Sequence, residues 1–289
     1  MKNNKTGKKV KAAQKREITE HLIYQKLART VKNTHNREIL LRISDDELKH
    51  YNLLKDYSKQ KVKPNRIQLW LYYLLSRIFG LTFGIKLMER GEDTAQVFYR
   101  NLAGSFPRAA DIAKEEDVHE EQLIRTFDEK RLNYIGSMIR GLNDALVELT
   151  GALAGFTLAL QDSRLIAMAG LITGIAASMS MGGTEYLAKR YEKSDQHPIK
   201  SGLYTGIAYI FTVVLLILPY ILLGNIYISL GIMIVIAIVI IIIFSFYISI
   251  AKDLSFWKRF LEMAGLSLGI AALSFVIGYI ARQILGVDL

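Results

Sequence analysis

The chain has 289 residues, 37 Lys plus Arg against 27 Asp plus Glu for a formal net charge of +10, no cysteine, and 51% hydrophobic residues. That average fits neither half: up to Arg140 there are 28 basic and 18 acidic residues, hence +10, and from Gly141 onward 9 of each, hence zero. An uncharged run such as Ile228 to Ile248 excludes a single soluble globule and a disordered basic protein, and the lack of cysteine excludes disulfides, zinc-thiolate sites, iron-sulfur clusters and thiol catalysis.

The first sixteen residues carry seven Lys or Arg and no acid, without the apolar core or cleavage pattern of a secretory signal. Residues 1–10 read as a disordered basic tail, solvated or drawn to anionic headgroups. No groove-reading motif follows, so nucleic acid is not an expected partner. Four stretches of helical periodicity come next, about Lys11 to Lys32, Asn36 to Ser58, Asn65 to Leu102 and Arg108 to Tyr134. The third contains Gly80, Gly84 and Gly91 and is either bent or built from two pieces. Pro64 and Pro107 mark the starts of the third and fourth. The fold class expected is all-α: a four-helix bundle over 11–134, followed by a five-helix membrane domain over 135–289.

The five apolar segments are about Ile135 to Leu160, Leu165 to Ala188, Gly202 to Leu223, Ile226 to Ile250 and Phe260 to Leu285, each long enough for a hydrocarbon core. Lys189, Arg190, Lys193 and Lys200 follow the second, and Lys252, Lys258 and Arg259 follow the fourth, whereas the other connections offer only Arg164. The positive-inside rule therefore puts the bundle in the cytoplasm and Leu289 on the opposite side. Ile67 to Ile85 is almost as apolar, interrupted only by Arg77. A sixth span there would separate ligands that belong together, so an amphipathic or bilayer-contacting helix is expected.

The bundle contains Glu47-Leu-Lys-His50 and Glu116-Asp-Val-His119 in its second and fourth helices, Glu89-Arg-Gly-Glu92 in the third, and Glu17 and Glu20 in the first. Three-residue spacing puts each pair on one helix face. Two Glu-x-x-His helices plus a Glu from each of two others is the ligand set of dimetal carboxylate bundles. Oxygen donors with a minority of imidazole favour iron or manganese, and ligand softness does not separate the two.

The order of these residues resembles the rubrerythrin branch of the ferritin-like family, whose first helix shows Glu, then Tyr seven later and Ala eleven later, matched here by Glu17, Tyr24 and Ala28. That register implies Glu17 as the ligand, with Glu20 an extra carboxylate, and implies a di-iron cofactor. The cysteine-ligated iron module that rubrerythrins often append has no counterpart.

In the membrane half, Asp144 and Glu148 share a face of the first span, and Met181 and Glu185 a face of the second. Ionisable groups at that depth mark a pathway, and a carboxylate and thioether column suits a divalent transition metal. Gly151 with Gly155, and Gly170 with Gly174, permit close helix contacts within or between chains.

This half resembles the vacuolar iron transporter family through Arg140-Gly-Leu-Asn-Asp144-Ala-Leu-Val147, Ser180-Met-Gly-Gly-Thr-Glu-Tyr186, Pro219-Tyr220, and Glu262 with Gly265 and Gly269. The resemblance implies a five-span homodimer that moves Fe(II), and often Mn(II), out of the cytosol in exchange for protons, with Asp144 and Met181 in the pathway. Glu148 and Thr184 depart from the family pattern, and the 189–200 connection lacks the long acidic helices that collect metal in some members. The two halves together resemble membrane-bound ferritins of the prokaryotic plasma membrane. The reading is an iron exporter whose bundle captures the ion, with ferroxidase activity left open. A membrane-anchored di-iron oxidase or peroxidase and a non-transporting iron sensor are the alternatives.

Overall fold

A computed structural model describes residues 4–90, 92–126, 134–192 and 196–285, which hold α-helices and no strand. They fall into two compact units, Met1–Glu129 and Lys130–Leu289.

The first unit comprises α1 (Asn4–Ala28), α2 (Thr34–Ser58), α3 (Arg66–Phe79), α4 (Leu81–Glu89), α5 (Glu92–Leu102) and α6 (Ala109–Thr126). Helix α1 already runs through most of the stretch expected as a disordered tail, because Val10 and Ala13, three apart, extend its apolar face and are buried beside Leu54 and Tyr99. The third stretch, expected over 65–102 as bent or built from two pieces, is three helices. Gly80 sits at φ 102° and ψ 156°, which only glycine adopts without strain, and it ends α3. The 14 residues of α3 reach only about 21 Å, well short of the roughly 30 Å of a hydrocarbon core, so α3 is too short to cross one.

Two apolar clusters build this unit. One joins Ile23, Tyr24 and Leu27 of α1, Ile39, Leu40 and Ile43 of α2, Ile85 and Met88 of α4, and Leu123 of α6. The other joins Val10 and Ala13 of α1, Leu54 of α2, Tyr99 and Leu102 of α5, and Ala109, Ile112 and Ala113 of α6. Along α1 and α6 the chain passes from the second cluster to the first; along α2, and from α4 to α5, it passes the other way. Glu17, Glu47, His50, Glu116 and His119 all fall between the two clusters in sequence, and Glu89 and Glu92 fall between Met88 and Tyr99. The periodicity that buries the cores thus also brings Glu17, Glu47, His50, Glu116 and His119 to one level.

The second unit comprises α7 (Ile135–Leu160), α8 (Ser163–Tyr191), α9 (Pro198–Leu222), α10 (Ile226–Ala251) and α11 (Phe256–Leu285). Helix α7 packs against each of the other four, supplying Ala145, Leu146, Leu149 and Leu153 to a core completed by Tyr209, Val213, Leu216, Met233 and Ala237. The outward faces are apolar too: Ile172, Phe211, Val235 and Val276 are exposed, as in helices solvated by lipid. Among the described residues four helices, Ser163–Tyr191, Pro198–Leu222, Ile226–Ala251 and Phe256–Ile284, are long and apolar enough to cross a membrane. Helix α7 has the length, at 26 residues, but carries Arg140, Asp144 and Glu148.

Asp162 and Asn225 cap α8 and α10 by accepting backbone N–H bonds from Leu165 and from Tyr227 and Ile228. The four glycines singled out in the sequence make contacts inside the chain, Gly151 against Ile270 and Ser274. A methyl at Gly155 would lie 3.0 Å from the Ser274 carbonyl, and one at Gly278 only 2.2 Å from the Gly155 carbonyl, so α7 and α11 touch backbone to backbone. Gly170 and Gly174 instead make room for the side chains of Leu153, Ile217 and Val213.

Candidate functional site

Between the two clusters of the first unit, Glu17 of α1, Glu47 and His50 of α2, and Glu116 of α6 each offer a ligand atom, all within 4.8 Å of one another. His50 Nδ1 lies 3.5 Å from Glu17 Oε2, 3.5 Å from Glu47 Oε2 and 3.4 Å from Glu116 Oε1. His119 Nδ1 lies 3.4 Å from Glu47 Oε1, and the two imidazole rings are 6.0 Å apart. All five side chains are buried. The side chains of Glu89 and Glu92 lie outside the described residues. Glu20 is buried beside Arg16, its Oε2 3.4 Å from the guanidinium Nε, and is not one of the converging four.

The outer nitrogens of the two histidines are tied down crosswise. His50 Nε2–H donates to Glu115 Oε2 at 2.8 Å, and His119 Nε2–H donates to Asp46 Oδ2 at 3.2 Å. Each acid immediately precedes the Glu of one Glu-x-x-His motif and orients the histidine of the other, and each Nδ1 is left facing the carboxylates. Arg16 and Tyr99 complete the surroundings: the guanidinium lies 3.0 Å from Glu17 Oε1, and the Tyr99 hydroxyl donates to the same oxygen. None of these four was picked out from the sequence. Asp46, Glu115 and Arg16 are each adjacent in the chain to a residue that was, the only local signal they carry.

Burial opposes the charge on His50, yet Glu116, Glu17 and Glu47 outweigh it and raise its pKa far above the histidine range. Burial, then the negative charge of Glu116, pushes the Glu47 carboxyl well above the usual carboxylate range. Glu17 would also be raised by burial, but the Arg16 guanidinium and then His50 hold it well below. Burial and the Glu17 charge raise the Tyr99 phenol.

In the fully buried layer, Glu17 Oε2, Glu47 Oε2, both Glu116 oxygens and the Nδ1 atoms of His50 and His119 have no hydrogen-bond partner among the described residues. Unpartnered buried polar atoms at this density are costly, and a divalent cation that displaces the proton satisfies them, since oxygen and imidazole are donors it prefers. The donor set therefore fits iron or manganese.

The metal-free layer has a signed pH dependence. His50 takes up its proton more readily folded than unfolded, so the stability it contributes is complete below about pH 6.5 and is lost as the pH rises toward its folded value. Glu47, raised as well, loses stability in the same direction above the ordinary carboxylate range. Glu17, lowered, contributes throughout neutral pH and fails only in strong acid. The metal-free first unit is expected to melt at a lower temperature at pH 8 than at pH 6, followed by Trp70 fluorescence in a Trp257→Phe chain. Saturating Fe(II) under anaerobic conditions, or Mn(II), reverses the slope, because the ion replaces the protons. A metal-free melting point that does not fall between these pH values would contradict the assignment.

In the second unit the expected pathway residues are distributed differently. Glu185 of α8 is buried and held by Arg140 of α7, whose Nε–H donates to Oε2 at 2.8 Å and whose terminal N–H donates to Oε1; the Ser137 hydroxyl donates to Oε1 at 2.7 Å. Glu148 accepts from the hydroxyl of Tyr209, a core residue of α9, at 3.0 Å. Asp144, half-buried, lies one turn before Glu148 on α7, and Met181 packs against the core. Arg140, Ser137 and Tyr209 are partners that spacing along a single helix does not reveal.

Fold and cluster together define a helical membrane protein with a candidate metal centre in a separate unit. Residues 135–197, which hold α7 and α8 and all four candidate pathway residues, match the model of the VIT family and point this segment to membrane transport of iron or manganese. No curated protein and no solved structure matches the chain.

Proposed function

We propose that the chain exports Fe(II), with Mn(II) as a second cargo, from the cytosol in exchange for protons, and that its first unit is a ferritin-like dimetal bundle which captures the ion. The observation that carries the reading is the buried layer of unsatisfied carboxylate and imidazole atoms in a polypeptide whose α7 and α8 match the VIT family. Glu17, Glu47, His50, Glu116 and His119 hold the resident ions, with Glu89 and Glu92 completing the set. A bound di-iron pair would supply one-electron redox chemistry, making the bundle a ferroxidase as well as a buffer. The chain's own residues keep that layer dry, orient the histidines through Asp46 and Glu115, and balance its charge with Arg16.

In the second unit α7 is the fifth crossing, shielded by α8 to α11, with Asp144, Glu148, Met181 and Glu185 as the pathway. Basic connections keep the first unit cytoplasmic and place the C-terminus opposite. A homodimer follows from the family resemblance; the glycine pairs do not argue for it, since they pack within the chain. The test is flux into proteoliposomes with Fe(II), Mn(II) and Zn(II), with and without a pH gradient. Uptake of Fe(II) and Mn(II), driven by an opposing proton gradient, is the expected result. No uptake of any of the three would leave only an anchored metal-binding unit, and flux indifferent to the gradient would exclude antiport.

A further inference from the structure

Helix α3 is apolar on both sides. Leu69, Tyr72 and Tyr73 face inward onto the cluster formed by α1, α2 and α4. The opposite side presents Ile67, Trp70, Leu71, Leu74 and Ile78, at spacings of three and four and between 51% and 83% exposed. A helix apolar all round is stable only when covered all round, and a contiguous exposed patch of this kind marks an interaction surface.

The charge around the stripe says what covers it. From residue 57 to residue 88 there is no Asp or Glu, while Lys59, Lys61, Lys63, Arg66 and Arg77 are all exposed. Lys26 of α1 adds its ammonium at the edge, 3.2 Å over the Trp70 ring and 4.5 Å from that of Tyr73. Basic residues bordering an apolar stripe that contains Trp is the composition of a helix lying in a lipid interface. A second copy would set this cationic rim against its own image in a two-fold contact, a like-charge juxtaposition that disfavours pairing. The four span-length helices keep the same polypeptide at a bilayer, so lipid is always at high local concentration.

We propose that α3 is a bilayer-docking helix, seated on an anionic phospholipid surface through Ile67, Trp70, Leu71, Leu74 and Ile78 with its basic border on the headgroups. It rests on the membrane reading of the second unit and is independent of any metal. Docking turns α3 from an exposed liability into a fixed platform for α1 and α4, which pack on it.

The full chain carrying Trp257→Phe leaves Trp70 as its one tryptophan. Reconstituted into phosphatidylcholine vesicles containing phosphatidylglycerol, Trp70 is expected to lose most of its emission when the acyl chains are brominated near the headgroup. The loss shrinks when the anionic lipid is omitted or the salt is raised, and it is abolished by Ile67→Gln with Leu71→Gln, exposed substitutions that leave metal binding intact. Emission unaffected by brominated lipid but quenched by acrylamide would show a free face. Emission indifferent to both would show a protein partner, a second copy included. Either result overturns the proposal, and neither bears on flux, so its failure is distinguishable from failure of the transport reading.

Discussion

A chain carrying Glu47→Ala with His50→Ala is expected to lose the metal of its first unit while continuing to transport Fe(II) supplied at saturating concentration. Glu47 is the pivot of the layer, facing His50 on one oxygen and His119 on the other, so its removal with His50 takes donors from both sides. Substituting only the orienting acids, Asp46→Ala or Glu115→Ala, costs roughly 10–100-fold in metal affinity, and the double variant exceeds that range. Metal content of purified protein, read by elemental analysis after equilibration at micromolar free Fe(II), checks it. A companion result separates binding from structure. Glu47→Gln keeps the volume and removes the charge that burial and Glu116 oppose, so the metal-free form should melt higher than the parent, as expected where a site trades stability for function. A merely structural Glu47 would give a lower melting point, and unchanged metal content in the double variant would remove the site.

The second large effect belongs to the membrane unit. Asp144→Ala is expected to reduce Fe(II) flux in proteoliposomes by at least about tenfold, the consequence of losing a ligand interaction worth on the order of 1.4 kcal/mol or more. Metal content of the first unit should not change. Asp144 is the candidate to test because Glu185 is bound by Arg140 and Ser137 and Glu148 by Tyr209, whereas Asp144 is half-buried in α7. Flux equal to the parent's would sink the pathway assignment and leave α7 a packing helix.

The two halves differ in how much of them was legible from residues alone. Helices of the second unit were readable because lipid rewards uninterrupted apolar length, a local property that runs such as Ile226–Ala251 display without context. Glu47 with His50 and Glu116 with His119 were readable for a related reason: spacing of three encodes a shared face before any fold is known. What escaped is non-local. Asp46 and Glu115 matter through histidines 73 and 65 residues away, and Arg140 through a glutamate 45 residues on. Gly80 was legible only as one of three candidate breaks, since glycine permits a positive φ without requiring one. The helical start at Asn4 was masked by the density of lysine, although Val10 and Ala13 already mark the buried face.

The division of the first unit into two apolar clusters separated by a polar layer inverts the usual order in which helices come apart. Helices ordinarily fray from their ends, where hydrogen bonds go unmade. Here the apolar contacts of α1, α2 and α6 lie toward their ends, and the central turns are the ones that carry buried carboxylates close together. On the proposed metal reading, an ion in that layer does more than occupy a ligand set: it splices two half-cores into one cooperative unit, and its loss lets this part of the protein open from its middle.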